Sequence, residues 1–364
     1  MNLDEYKIRY RGASCRHGGR KESDVGNFLD FSANVNPFSP DPILLELIGR
    51  MVTDKDLFVS YPDSSYKKAR IAISKNLGRG IGPENIILTN GTIELIKLFC
   101  EVFTRDEAII PTPTFCEYER FSAINDANMI FLKYGEMIDN GVLESIKGRI
   151  EHERGTVFIC NPNNPTGDLI EKDDLFLLSE FLDENNHMLF IDEAFIDFAP
   201  HETSLELVQE MKNVVIGRSL TKIIGIPGIR LGYGIASEDI ISIIKKAQIP
   251  WSVNNIARGI AESIGEFDSF IRSSVDVLGS ERDRMLNELS KIDGMNIRPS
   301  STNYLMLHID GVPSSEISEK MKGLGILVRR CDSFRGGDDI SIRVAVRNSK
   351  ENDALIEAFK RLYG

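Results

Sequence analysis

Thr156-Val-Phe-Ile-Cys160 runs directly into Asn161-Pro-Asn-Asn-Pro-Thr-Gly167. The first five residues are β-branched or apolar and short enough to make a buried strand. The next seven hold two prolines, three asparagines and a glycine, which forbid both helix and ladder and force a rigid loop. A polar loop at the carboxyl end of a buried strand is where open α/β sheets place ligand-orienting groups. Taken singly, any of these residues is an ordinary turn residue.

The same arrangement recurs on either side. Apolar runs at Ile86–Thr89, Ala108–Ile110, Met188–Ile191 and Val214–Gly217 alternate with helical patterns at Thr92–Phe103, Lys172–Glu184 and Glu238–Ala247. That alternation predicts parallel strands joined by crossover helices and covered on both faces. The expected organisation is an N-terminal arm over residues 1–54, with a helix at Asp41–Met51 packing on the small domain. A large α/β domain over 55–255 and a smaller α+β domain over 256–364 follow. The latter should hold one long helical region from Asn255 to about Ser290, strands at Tyr304–Ile309, Ile326–Val328 and Ile340–Val346, and a closing helix over Glu351–Leu362.

Three more strand ends carry chemistry. Asp192 terminates Met188-Leu-Phe-Ile191 and is either a ligand-facing carboxylate or a helix cap. Arg218-Ser-Leu-Thr-Lys222 follows Val214–Gly217, with Arg230 eight residues beyond Lys222. A lysine in a loop is usually solvated. Here the hydroxyls of Ser219 and Thr221 and the fork of Arg230 suit a phosphate, and a desolvated, cation-rich pocket would leave the amine part-neutral and nucleophilic. Asn90-Gly-Thr92 closes one strand and opens a helix, whose free N–H groups and dipole favour an anion.

The order of these motifs resembles fold-type I, the aspartate-aminotransferase-like family of pyridoxal-phosphate enzymes, over nearly the whole chain. The resemblance implies a large domain with a mostly parallel sheet of seven-stranded type, plus a smaller α+β domain. It implies that Lys222 holds the cofactor as a Schiff base and that Asp192 pairs with the pyridine nitrogen. Asn164 would meet the ring hydroxyl and Phe115 would stack on the ring. Gly91, Thr92, Ser219, Thr221 and Arg230 would hold the phosphate. Tyr61 would reach the phosphate of a neighbouring subunit, which implies a homodimer with shared active sites.

Within the family, two branches are similar: histidinol-phosphate aminotransferases and the threonine-phosphate decarboxylases of cobalamin synthesis. Resemblance to the second rests on His17-Gly-Gly19 with Asp30-Phe-Ser-Ala-Asn34-Val-Asn36, on Phe195 where aminotransferases usually carry tyrosine, on Gln248-Ile-Pro-Trp251-Ser-Val-Asn254, and on Arg343-Val-Ala-Val-Arg347. It implies that His17, Gly18, Asn34 and Asn164 meet a phosphorylated amino acid, and that Arg329 and Arg343 grip its anionic groups. The implied reaction is decarboxylation of L-threonine O-3-phosphate, with transamination of histidinol phosphate as the alternative. By alternation alone, Arg343 would face outward. Two positions depart from the pattern: Arg20 follows His-Gly-Gly where asparagine is common, and Arg330 sets a second cation beside Arg329.

Bulk properties bound the other classes. A net charge of −12 argues against nucleic acid or an anionic membrane as the main partner. No segment approaches the ~20 apolar residues of a membrane helix, and residues 1–12 have no secretory pattern. The five scattered cysteines form no metal-ligand spacing, and reduced thiols and a cytoplasmic address are expected. No Gly-x-Gly-x-x-Gly follows an early strand, which counts against a dinucleotide-binding oxidoreductase.

Overall fold

A computed structural model of the chain describes residues 18, 19 and 26–364. In chain order the strands are β1 (Leu29–Asp30), β2 (Ile86–Thr89), β3 (Glu107–Thr112), β4 (Asn128–Lys133), β5 (Gly155–Cys160), β6 (His187–Asp192), β7 (Val214–Ser219), β8 (Gly232–Ala236), β9 (Met295–Arg298), β10 (Tyr304–Ile309), β11 (Ile326–Leu327), β12 (Arg329–Arg330) and β13 (Ile342–Ala345). Seven of them form the central sheet in the order β2-β8-β7-β6-β5-β3-β4. β4, β3, β5, β6 and β7 run parallel, and β8 is antiparallel to both of its neighbours. Two strands escape the sequence pattern for identifiable reasons. β8 reads Gly-Tyr-Gly-Ile-Ala, a composition that signals turn, and β4 is a half-exposed edge.

β3, β5 and β7 are buried along their whole length, which is why their sequences do not alternate. One apolar cluster covers one face of the sheet and includes Leu175, Leu178 and Leu182 of the helix Lys172–Glu184. Another covers the opposite face through Leu95, Ile96 and Phe99 of the helix Thr92–Phe103. That helix lies unusually close to the sheet because three strand residues lack a Cβ. One added at Gly217 would come within 2.8 Å of Thr92 Cγ2, at Gly232 within 2.6 Å of Thr92 N, and at Gly234 within 2.7 Å of Leu95 Cδ1. The close approach brings the N-terminus of the helix against the carboxyl end of β7.

A third apolar cluster surrounds the antiparallel sheet β12-β13-β10-β9. The arm joins this unit through β1, which pairs parallel with β11. The arm helix, Pro42–Val52, packs on the helix Asn255–Glu262, where Met51 lies against Gly259, and its Leu44 and Leu47 join the apolar cluster that also covers the large sheet. The helical region after Asn255 is not continuous. It breaks into Asn255–Glu262, a 3-10 turn at Ile264–Phe267 around Gly265, and Asp268–Leu289. Ile264 and Phe267 bury themselves in the large core at the break, and glycine weakens helix there. The strand expected at Ile340 starts two residues later, because Asp338 Oδ1 accepts the N–H groups of Ile340 and Ser341.

The cysteine expectation holds for Cys100, Cys160 and Cys331, which are free and buried, but not for Cys116, which is disulfide-bonded. Among the described residues no helix is long and apolar enough to cross a membrane.

Candidate active site

The carboxyl ends of β5, β6 and β7 open on a cavity of about 390 Å³. Gly18, Asn34, Gly91, Thr92, Phe115, Asn164, Asp192, Ser219, Thr221, Lys222, Arg230, Arg329 and Arg343 all line it. Residues scattered from 18 to 343 along the chain thus meet at one place. Tyr61 does not line its own chain's cavity; it is exposed and stacks on Trp251 with ring centroids 4.5 Å apart. His17 and Arg20 lie outside the described residues.

Asp192 ends β6 and is 3% exposed. Its Oδ2 accepts the Tyr118 hydroxyl at 2.7 Å and its Oδ1 accepts Ala194 N–H at 3.0 Å. Burial pushes its carboxyl up to about 6, against the downward pull of those two hydrogen bonds. Such a group gains much from a cation or an N–H donor placed beside it. Tyr118 was not legible as a site residue: it lies on the helix Glu117–Ile124 among Phe115, Phe158 and Phe190, where its sequence reads as core.

Lys222 sits on a single helical turn, Leu220–Ile223, directly after β7. Burial lowers its amine to about 8, and the nearby Arg343 and Arg230 add to the effect. At pH 7 about a tenth of such an amine is neutral, enough to attack a carbonyl without a separate base. Asn36 N–H donates to the Lys222 carbonyl at 3.0 Å, so the arm clamps the turn that carries the lysine.

Beside Lys222, the Ser219 and Thr221 hydroxyls are 2.7 Å apart. They face the first turn of Thr92–Phe103, where Thr92 Oγ1 donates to the Arg218 carbonyl at 3.1 Å. Gly91 has φ +74°, and a Cβ there would lie 2.7 Å from Arg230 Nη2. Arg230 itself has φ +63°, a left-handed conformation rare for a long side chain and often retained at functional positions. Hydroxyls, helix N–H groups and a guanidinium converge as in an anion cradle.

In the loop after β5, the three asparagines divide their work. Asn161 exchanges hydrogen bonds with both backbone groups of Ile170, and Asn163 binds Thr114 and Thr166. These bonds staple the loop shut and leave Asn164 facing the cavity, where its Oδ1 accepts from Arg343 Nη1. Arg343 therefore points inward, opposite to what alternation alone suggests. Its Nη2 donates to the Ser32 carbonyl at 2.9 Å, its guanidinium lies 5.2 Å from the Tyr304 ring, and burial lowers it to about 10. Asn34 is buried on the same wall, and neither its Nδ2 nor its Oδ1 has a partner among the described residues. A buried amide left open toward a cavity is costly unless a ligand completes it. Phe195 stands edge-on to Tyr304 at 5.1 Å and puts a ring without a hydroxyl on the cavity wall.

Sequence reading also missed the ion pair behind the site. Glu193 and Arg218, the neighbours of Asp192 and Ser219, meet at 2.8 Å with both side chains buried. This pair ties the ends of β6 and β7 together. Nothing in the local pattern marks it, since a charge next to a strand end normally faces solvent.

The sequence model for "Aminotransferase class I and II" matches residues 26–359. A protein of Caldanaerobacter subterraneus subsp. tengcongensis named "Putative threonine-phosphate decarboxylase" is 34% identical over 351 residues, covering 95% of this chain and 94% of that one. The histidinol-phosphate aminotransferase of Thermoanaerobacter pseudethanolicus is 30% identical over 332 residues, covering 91% of this chain and 92% of that one. Among solved structures, the histidinol-phosphate aminotransferase from Clostridium acetobutylicum superposes with a TM-score of 0.81 at 28% identity, covering 92% of this chain and 98% of that one.

Proposed function

The chain belongs to the aminotransferase class I and II family, and on that premise we propose that it decarboxylates L-threonine O-3-phosphate to aminopropanol phosphate and CO2 in cobalamin synthesis. Its cofactor is pyridoxal 5′-phosphate. The residues fit that group: a lysine whose pKa burial lowers, a carboxylate whose pKa burial raises, and a cradle of hydroxyls and helix N–H groups. When bound, it supplies an electron sink for the pair left on a substrate carbon.

The protein's own groups do the remaining work. Lys222 Nζ would anchor the cofactor and would be placed to carry a proton to the substrate Cα. Asp192, steadied by Tyr118, would pair with the ring nitrogen, and Asn164 with the ring hydroxyl. Phe115 would pack on the ring. Gly91, Thr92, Ser219, Thr221 and Arg230 hold the phosphate end, joined by Tyr61 of a second copy. Exposed Phe58, Val59, Tyr61, Ile249 and Trp251 support a homodimer, since this much apolar surface between residues 58 and 251 is unusual on a monomer.

Two cavity arginines carry the choice of substrate. Arg343 and Arg329 both line the cavity, which suits a molecule with a carboxylate at one end and a phosphate at the other. Gly18 and Asn34, which line the cavity, would complete the substrate's surroundings. A carboxylate gripped by Arg343 would be held in one orientation, and that orientation would select carboxylate loss over proton loss at Cα. A difference of about 1.4 kcal/mol between the two arrangements is tenfold in rate, so modest differences in grip decide the reaction.

Transamination of histidinol phosphate is the second reading, favoured by the 30% identical aminotransferase relative. A paired assay separates the two. CO2 and aminopropanol phosphate are expected from phosphothreonine, with little amino exchange between histidinol phosphate and 2-oxoglutarate. The reverse result would move the assignment to the aminotransferase.

A further inference from the structure

Arg329 is held from a loop that is itself fastened to the other domain. Arg329 Nη2 donates to Ser333 Oγ at 2.6 Å, and its guanidinium lies 5.1 Å from the Phe334 ring. The loop carrying both residues is stiff. Phe334 N–H bonds to the Cys331 carbonyl and Gly337 N–H to the Phe334 carbonyl, each at 3.0 Å, and a Cβ on Gly337 would come within 2.2 Å of the Cys331 oxygen. Ser333 and Phe334 therefore cannot shift unless the loop shifts with them.

What fixes the loop against the large domain is Arg335. Its Nε and Nη2 reach the two carboxylate oxygens of Glu119 at 2.8 and 2.5 Å, and its guanidinium lies 4.3 Å from the Phe131 ring on β4. Gly336 then packs on the end of β3, where a Cβ would sit 2.9 Å from Thr112 Oγ1. Exposed ion pairs usually contribute little, but a forked arginine stacked on a ring is fixed in geometry as a lysine pair would not be. Glu119 belongs to the same helix, Glu117–Ile124, whose Tyr118 bonds Asp192. One helix thus holds both the Asp192 carboxylate, through Tyr118, and the loop of Arg335, through Glu119.

We infer that Arg335 and Glu119 are positioning residues that place Arg329 over the cavity and thereby set the preference for a substrate with a second anionic group. This rests on the reading of Arg329 as the grip for the substrate phosphate. The holoenzyme is titrated with aminopropanol phosphate and with aminopropanol, which have no carboxylate to lose, following cofactor absorbance, and the two dissociation constants are compared. Arg335→Ala and Glu119→Ala are each expected to shrink the preference for the phosphorylated ligand by roughly tenfold to a hundredfold, the size of one charge-assisted hydrogen bond lost. Arg335→Lys, which keeps the charge but not the fork, should lose part of it. The exchanged pair, Arg335→Glu with Glu119→Arg, should recover part of it.

An unchanged preference in both alanine variants overturns the inference. So does an equal weakening of both ligands, which is what general loosening of the fold would produce. If the unaltered enzyme itself shows no preference for the phosphorylated ligand, the reading of Arg329 fails and the role of the loop falls with it. Should Arg335→Ala not fold, Glu119→Ala and Arg335→Lys give the same comparison.

Discussion

Asp192 and Lys222 are each displaced from their ordinary titration range by burial, and each displacement has a measurable consequence. For Asp192 the folded value, about 6, lies above the unfolded value of 3.8, so the folded protein binds the extra proton. Stability tied to this group is complete below pH 4 and is lost as pH rises through about 6. Asp192→Asn removes that loss. In the cofactor-free protein it is expected to raise unfolding free energy at pH 7.5 by about 1–3 kcal/mol, by denaturant titration, with the gain fading toward pH 4. The same variant should hold the cofactor less well if, as proposed, Asp192 is the anionic partner of the ring nitrogen. For Lys222 the expectation is chemical. Borohydride reduction should leave the cofactor on the peptide containing Lys222, read by mass spectrometry, and Lys222→Ala should abolish the adduct and cut turnover by about a thousandfold or more. A colourless protein that takes up no pyridoxal phosphate would sink the reading.

At the scale of elements, the site depends on how closely the helix Thr92–Phe103 approaches β7 and β8. Gly91 carries φ +74° with ψ 160°, a region that side-chain-bearing residues scarcely enter, and any Cβ there meets Arg230. Gly91→Ala is therefore expected to weaken cofactor affinity about tenfold, corresponding to about 1.4 kcal/mol, in a fluorescence titration of the cofactor-free protein. Melting should move less than affinity does, because the buried face of the helix is untouched. An affinity equal to that of the parent would show that the cradle does not need this backbone.

For the whole molecule, the exposed pair Tyr61–Trp251 bears on assembly. Trp251→Asp places a charge in the apolar patch and is expected to shift sedimentation equilibrium from the proposed dimer toward monomer at micromolar concentration. Cofactor affinity should fall together with the dimer if Tyr61 of one copy completes the phosphate site of the other. A dimer that survives the substitution would locate the contact elsewhere.

Much of this architecture was legible in the chain itself. Buried parallel strands read as unbroken apolar runs, and the strand ends announced Asp192, Asn164 and Lys222 because polar residues follow such runs abruptly. Local periodicity carries that information, since a strand covered on both faces must be apolar at every position. Contacts between distant segments left no such trace. The bond from Arg343 to Asn164, the hydroxyl that Tyr118 offers Asp192, the Glu193–Arg218 pair and the fork of Arg335 on Glu119 each join residues far apart or on different elements. The antiparallel β8 was hidden for the same reason. Periodicity and turn chemistry record how a segment is covered, whereas a side chain's partner depends on which surfaces the folded chain brings together.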